Sequence, residues 1–182
     1  MFLQETYGIE DCLHYDPMTS NSGNWINSNS TSHTASFSSN GMSLTSSTNS
    51  ARFYMLNQSF TKPVSFEFTI VSATSNRLGL RVADVNDGNT SGNNWINGGH
   101  YFGSYSHWRL TVQNQSNVDN TTNGFNDNDV IKLSVTNDTV YLYCNDTLIA
   151  QKSHTLNMGL YFGFLSLFSN TRVIKDVKVK AL

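Results

Sequence analysis

Apolar and polar positions alternate along most of this chain with a period of two, the spacing of strands that bury one face and wet the other. The pattern is cleanest in the last third. Ile131, Leu133 and Val135 alternate with Lys132 and Ser134, and Val140, Leu142 and Cys144 alternate with Tyr141 and Tyr143 before an Asn145-Asp146 turn into Leu148-Ile149-Ala150. Residues 159–168 form a more continuous apolar run, and 173–182 alternate again. In the first half, Phe66, Phe68 and Ile70 oppose Ser65, Glu67 and Thr69 in a strand over 64–71. Over 78–85, Leu78, Leu80 and Val82 oppose Gly79, Arg81 and Ala83, so Arg81 is expected to point away from the core.

Shorter elements fit between these. Residues 6–15 put Cys12 and His14 on one face and Leu13 and Tyr15 on the other; Pro17, which has no ladder donor, confines that strand to an edge or ends it. Residues 19–34 are polar apart from Trp25-Ile26, which marks a loop or a short irregular strand. Asn40-Gly41 between two alternating runs predicts a hairpin, because that pair accepts the positive φ of a tight turn. A strand follows over 51–56. Residues 84–99 read as an Asn- and Gly-rich loop carrying Trp95, and 101–112 as one strand that buries Trp108, Leu110 and Val112 and turns Tyr105, His107 and Arg109 outward. Residues 113–128 read as a polar loop. No helix-length pattern with a period of 3.6 occurs. The expectation is an all-β, two-sheet antiparallel jelly-roll sandwich, with residues 1–182 forming one domain.

Composition narrows the function classes. Charged residues are 13% of the chain and the net charge is −2, so no basic field is available for nucleic acid or an anionic membrane surface. No run reaches the roughly 18 apolar residues needed for membrane insertion as a helix. Met1-Phe-Leu-Gln-Glu lacks the basic start and apolar stretch of a signal peptide, so the chain is expected to leave its cell by another route, such as lysis, or to be a module of a longer one. Two cysteines, Cys12 and Cys144, make no disulfide framework and are read as separate thiols.

The order of segments resembles a known superfamily. Tyr15-Asp16, Trp25, Gly41-Met-Ser-Leu and Phe66-Glu-Phe-Thr-Ile come first, then Gly79-Leu-Arg-Val and Ile131-Lys-Leu-Ser-Val. Val140-Tyr-Leu-Tyr-Cys-Asn-Asp-Thr-Leu-Ile, Gly159-Leu-Tyr-Phe-Gly-Phe and Ile174-Lys-Asp-Val-Lys-Val follow. Together they resemble the concanavalin A-like lectins and glucanases, including the laminin-G-like and carbohydrate-binding modules of secreted enzymes, adhesins and phage tail proteins. The resemblance implies neighbouring first and last strands, and a glycan or polysaccharide partner held on a concave sheet face or its rim loops. It also implies an extracellular, virion or cell-surface location, with other subunits of a larger assembly as further partners.

The residues bear on that implication unevenly. Glycoside cleavage uses two carboxylates about 5.5 Å apart for retention and further apart for inversion. The glutamates Glu5, Glu10 and Glu67 form no Glu-x-Asp-x-x-Glu pattern, and Asp127 with Asp129 or Asp84 with Asp87 would come together only through the fold. The expectation is a binding module rather than an enzyme. Sugars offer apolar C–H faces to aromatic rings and hydroxyls to planar polar groups. Arg81, Tyr105, His107 and Arg109, with Tyr101, the loop residue Trp95 and Tyr161 beside Gly159 and Gly163, supply that chemistry as candidate carbohydrate contacts. The same set would serve a structural or protein-interaction module. Calcium is the cofactor that the resemblance brings with it; Asp84 and Asn86 offer alternating oxygens, without the spacing or terminal Glu of an EF-hand loop.

Overall fold

The computed structural model describes residues 12–21, 25–27, 33–46, 52–73, 78–84, 94–102, 106–122, 124–157, 159–166 and 170–182. Sixteen strands and no helix occur among them. In chain order they are β1 (Cys12–Asp16), β2 (Trp25–Asn27), β3 (His33–Ser38), β4 (Gly41–Ser46), β5 (Arg52–Leu56), β6 (Phe60–Thr61), β7 (Val64–Ala73) and β8 (Leu78–Ala83). The second half holds β9 (Trp95–Phe102), β10 (Ser106–Val112), β11 (Val118–Asn120), β12 (Val130–Val135), β13 (Thr139–Cys144), β14 (Thr147–Ser153), β15 (Gly159–Ser166) and β16 (Asn170–Ala181).

These strands make two antiparallel sheets. The first runs β14-β13-β12-β7-β16-β4-β3, with β1 also on β16; the second runs β11-β10-β9-β8-β15-β5-β2, with β6 on β15. The twelve residues of β16 run along β7 on one edge. On the other edge the strand is shared, with β4 beside residues 170–174 and β1 beside residues 177–180. The expected pairing of the first and last strands is therefore present over Cys12–Asp16.

Alternation decides what each sheet buries. Phe66, Phe68, Ile131, Leu133, Val140, Leu142, Ile174 and Val179 of the first sheet face Leu80, Val82, Ile96, Trp108, Leu110, Phe162 and Phe164 of the second, all buried. The rings interlock across the interface: Phe66 stacks on Phe162 at 5.1 Å, and Phe68 meets Phe164 edge-on at 5.1 Å. Asp16, at the inner end of β1, accepts the Trp25 indole N–H of the second sheet at 2.8 Å and the Met18 amide at 2.7 Å. Trp25 in turn stacks on Phe164. The Asp16 before Pro17 and the isolated Trp25 are thus the two halves of one tie between the sheets.

Several boundaries differ from the sequence reading. Trp95 starts β9 rather than sitting in a loop, and of the stretch expected as one strand, residues 101–102 end β9 and residues 106–112 form β10, paired with β9. The tight turn of the β3–β4 hairpin is Ser39-Asn40, with Gly41 already paired to Ser38. Its φ of +118° still requires glycine. The polar stretch after Val112 contains β11 and the buried Phe125. The Asn145-Asp146 turn is as expected, with both residues at positive φ. Cys12 and Cys144 are free. Burial, reinforced by Asp129, pushes the Cys144 thiol up to about 12.

Candidate functional site

Strand register sorts the outward side chains of the second sheet into rows. Tyr161 of β15 pairs with Ala83 of β8, and Ala83 with Trp95 of β9. The Gln113 amide then donates to the Trp95 carbonyl at 3.0 Å, which extends this row one residue past β10. In the next row Gly163 pairs with Arg81, Arg81 with Asn97, and Asn97 with Thr111. In the third, Gly79 pairs with Gly99, Gly99 with Arg109, and Arg109 with Asp119. The glycines have a local reason: a Cβ on Gly99 would lie 2.2 Å from the Leu78 carbonyl oxygen at a φ of +158°.

Arg81 lies on this outer face as its alternation requires, yet it is only 1% exposed. Its guanidinium carbon sits 5.2 Å from the centre of the Trp95 ring, a cation–π contact that braces the half-buried indole. Met55 and Ala83 are each 1% exposed, so the middle of the face is closed. Arg81 and the β10 residues are also not on neighbouring strands, because β9 lies between them.

Along β10 the polar groups hold one another. Arg109 donates from Nε and Nη2 to the Asp119 carboxylate at 2.7 and 2.8 Å, a bidentate pair, and His107 Nε2 lies 3.6 Å from the same group. The Arg109 hydrogen bonds hold the Asp119 carboxyl below the usual carboxylate range. His107 is buried. Tyr101 is a β9 residue opposite His107 in register, and Tyr105 lies outside the described residues. Tyr161 is half-buried at the head of the Trp95 row.

Beside that row the surface opens into a small cleft lined by Asn94, Trp95, Val112, Gln113, Thr155 and Leu156. Its walls are tied down. Asp84 accepts the side-chain amides of Asn94 at 3.1 Å and Asn157 at 2.8 Å, which clasps the approach to β9 to the segment before β15. The Leu156 carbonyl accepts from Lys62 Nζ at 2.7 Å, and the Leu156 N–H donates to His154 Nδ1 at 3.1 Å. Asp84 Oδ2 thus takes two amide N–H donors, and Asn86 lies outside the described residues. No cluster of three or more His, Cys, Asp or Glu suited to a metal occurs among the described residues.

Two of the candidate acids are held by other groups. Glu67 faces out from the other sheet, held by Lys180 at 2.8 Å and Lys178 at 3.6 Å. Asp129 accepts from Asn145 Nδ2 and the Asn126 amide, both at 2.7 Å, and Asp87 lies outside the described residues. Sequence reasoning found Trp95 but missed Gln113, Asn94, Thr155 and Asn157. Gln113 was within reach, since it is one more step of the alternation that carries Arg109 and Thr111 outward; Asn94 and Thr155 line the cleft from segments that no alternation marks, and Asn157 is tied to Asp84 beside it.

No protein-family model and no curated protein matches the sequence. Solved structures do. A Bacillus subtilis protein of unknown function with a galectin-like fold matches with a TM-score of 0.75 at 13% identity, over 93% of this chain and 96% of its own. The carbohydrate-binding module CBM66 from Bacillus subtilis matches at 0.61 and 15% identity, over 87% of this chain and 96% of its own. The Bacillus licheniformis beta-glucanase matches at 0.61 and 10% identity, over 93% and 97%. Binding modules and glycoside-cleaving enzymes thus share this architecture, and at such identities the likeness is one of fold. With its two antiparallel sheets and these neighbours, the chain has the concanavalin A-like sandwich fold.

Proposed function

We propose that this protein is a non-catalytic carbohydrate-binding module that recognises a cell-surface or cell-wall glycan through the Trp95 end of the outer face of its second sheet. The observation that carries the reading is the half-buried Trp95 ring, braced from behind by Arg81 and set beside a polar cleft with fixed walls. A rigid indole loses little entropy when a sugar face stacks on it, which is what weak, selective glycan contacts require. Tyr161, in the same row, is the second platform. Glu67, tied to Lys180, and Asp129, tied to Asn145, support a binding role over hydrolysis, which needs two carboxyls flanking one bond. The setting proposed is a phage tail or a surface adhesin, outside the cell.

A glycan array followed by titration with cell-wall polysaccharides tests this. Binding that Trp95→Ala weakens at least about tenfold supports it. A folded wild-type protein that binds nothing above background overturns it. The burial of Arg81, Met55 and Ala83 favours a second reading, a structural module whose outer face serves assembly rather than sugar. A silent array together with self-association in sedimentation analysis would select that reading.

A further inference from the structure

Residues 154–157 carry the chain from β14, at the edge of the first sheet, to β15, inside the second, and belong to neither strand. Thr155 and Leu156 of this crossover line the Trp95 cleft, so the crossover is one of its walls. A wall outside the strand ladders is held by the bonds that its own groups find. The His154 N–H donates to the Asp138 carbonyl at 2.8 Å, and Lys62 Nζ donates to the Leu156 carbonyl at 2.7 Å. The Asn157 side-chain amide donates to Asp84 at 2.8 Å, and the Leu156 N–H donates to His154 Nδ1 at 3.1 Å. Only the last of these needs an imidazole to be neutral. A ring nitrogen accepts while it carries no proton, whereas an imidazolium donates from both nitrogens. Protonated His154 would set its own N–H against that of Leu156.

The surroundings of the ring oppose that proton while the wall is closed. His154 is 5% exposed, and burial is the larger reason that it stays neutral below the ordinary histidine value of 6.5. Lys62, from the link between β6 and β7, adds a like charge; Asp138 and the Thr136 backbone, beside the β12–β13 turn, favour the proton but weigh less. His14, whose ring packs edge-on against Phe60, is not among these groups. A ring that swings into solvent regains its ordinary proton affinity, so acid favours the open wall by up to about tenfold per pH unit below 6.5. We propose that residues 154–157 form an acid-released latch on the Trp95 cleft: protonation of His154 breaks its bond with the Leu156 N–H, the wall loosens, and the ligand held at Trp95 is let go. The latch rests on the glycan-binding reading for its ligand and adds regulation to it, with firm binding at neutral pH and release in mild acid.

The test is amide hydrogen exchange on the intact protein from pH 7.5 to 5, corrected for the intrinsic pH dependence of exchange, alongside titration with a cell-wall polysaccharide that binds at pH 7.5. Protection of the Leu156 amide should fall by up to about tenfold per pH unit below 6.5, while the Leu133 amide of the central strand β12 stays far better protected. Affinity for the polysaccharide should fall about threefold or more by pH 5. His154→Asn, which keeps an acceptor and takes up no proton, should remove most of both losses. Leu156 protection that is constant with pH, or that equals Leu133 throughout, means that the wall opens only with the whole fold and overturns the latch, while the glycan reading survives. A wall that loosens while the polysaccharide binds equally well at both pH values overturns it too. If no glycan binds at pH 7.5, the latch and the glycan reading fail together. The wild-type pH series needs no variant, so poor folding of His154→Asn does not blunt the test.

Discussion

Single residues in this protein carry loads that their positions in the sequence do not announce. Asp16 is buried and accepts from both the Trp25 indole and the Met18 amide. Asp16→Ala should therefore cost about 1–3 kcal/mol, read as a lower urea midpoint at unchanged m, and Asp16→Asn, which keeps an acceptor, should cost less. His154 acts through pH. Burial holds its pKa below the ordinary histidine value, and the nearby Lys62 charge adds to this against smaller opposing effects from the Thr136 backbone and Asp138. Between the unfolded value of 6.5 and the lower folded one, the unfolded chain takes up a proton that the folded chain refuses, so stability is lost as pH falls through that window. Thermal melts from pH 7.5 to 5 should show a falling Tm. His154→Asn, which retains an acceptor for the Leu156 N–H, should flatten part of that fall; His14, shifted in the same direction by burial, accounts for another part. Neither role was legible beforehand, since Asp16 stood out only as part of the Tyr15-Asp16 segment and no sequence pattern marks His154. What makes each of them matter is a partner distant in sequence or in fold.

At the scale of elements, the sequence was most legible where alternation and turn chemistry coincide. The strands β12 and β13 and the Asn145-Asp146 turn follow the pattern closely, because one wet and one dry face favour a single register; the departures are the buried Ser134 and a register shift between Leu142 and Tyr143 where β13 meets β14. Legibility failed around β9, where Gly98 and Gly99 interrupt the alternation. Gly98 faces inward, and a Cβ there would lie 3.1 Å from a Leu133 methyl of the opposite sheet, so close packing of the sheets demanded a residue that reads as loop. That misreading moved Trp95 off its strand and merged two strands into one. The β3–β4 hairpin gives the element-scale prediction. A Cβ on Gly41 would lie 2.3 Å from the Ile174 carbonyl oxygen of β16, at a φ of +118°. Gly41→Ala should cost about 1–3 kcal/mol in chemical denaturation, from backbone strain and from displacement of β4 along β16.

The whole molecule is held by the contact between its sheets, and its aromatic centre is the place to measure that contact. Phe66 and Phe162 stack at 5.1 Å with ring planes 16° apart, one from each sheet. Each truncation to Ala should destabilise by about 3–5 kcal/mol. A double-mutant cycle should return a coupling of about 0.5–1.5 kcal/mol beyond the loss of buried area; additive losses would mean that the rings merely fill space. This architecture was readable in outline because two sheets that each bury one face have few ways to pack. What escaped the sequence is how much of the outer face is closed, for burial there depends on the surroundings of Arg81 and not on its alternation. The placement of β16 also has a consequence for synthesis. The strand sits between β7 and the pair β1 and β4, yet it leaves the ribosome after all three. Until then the first sheet has a gap at its centre, with two unsatisfied strand edges facing it. Vectorial folding of this sheet cannot proceed strand by strand; it waits for the final segment, and the nascent chain is in the meantime a natural client for holding chaperones.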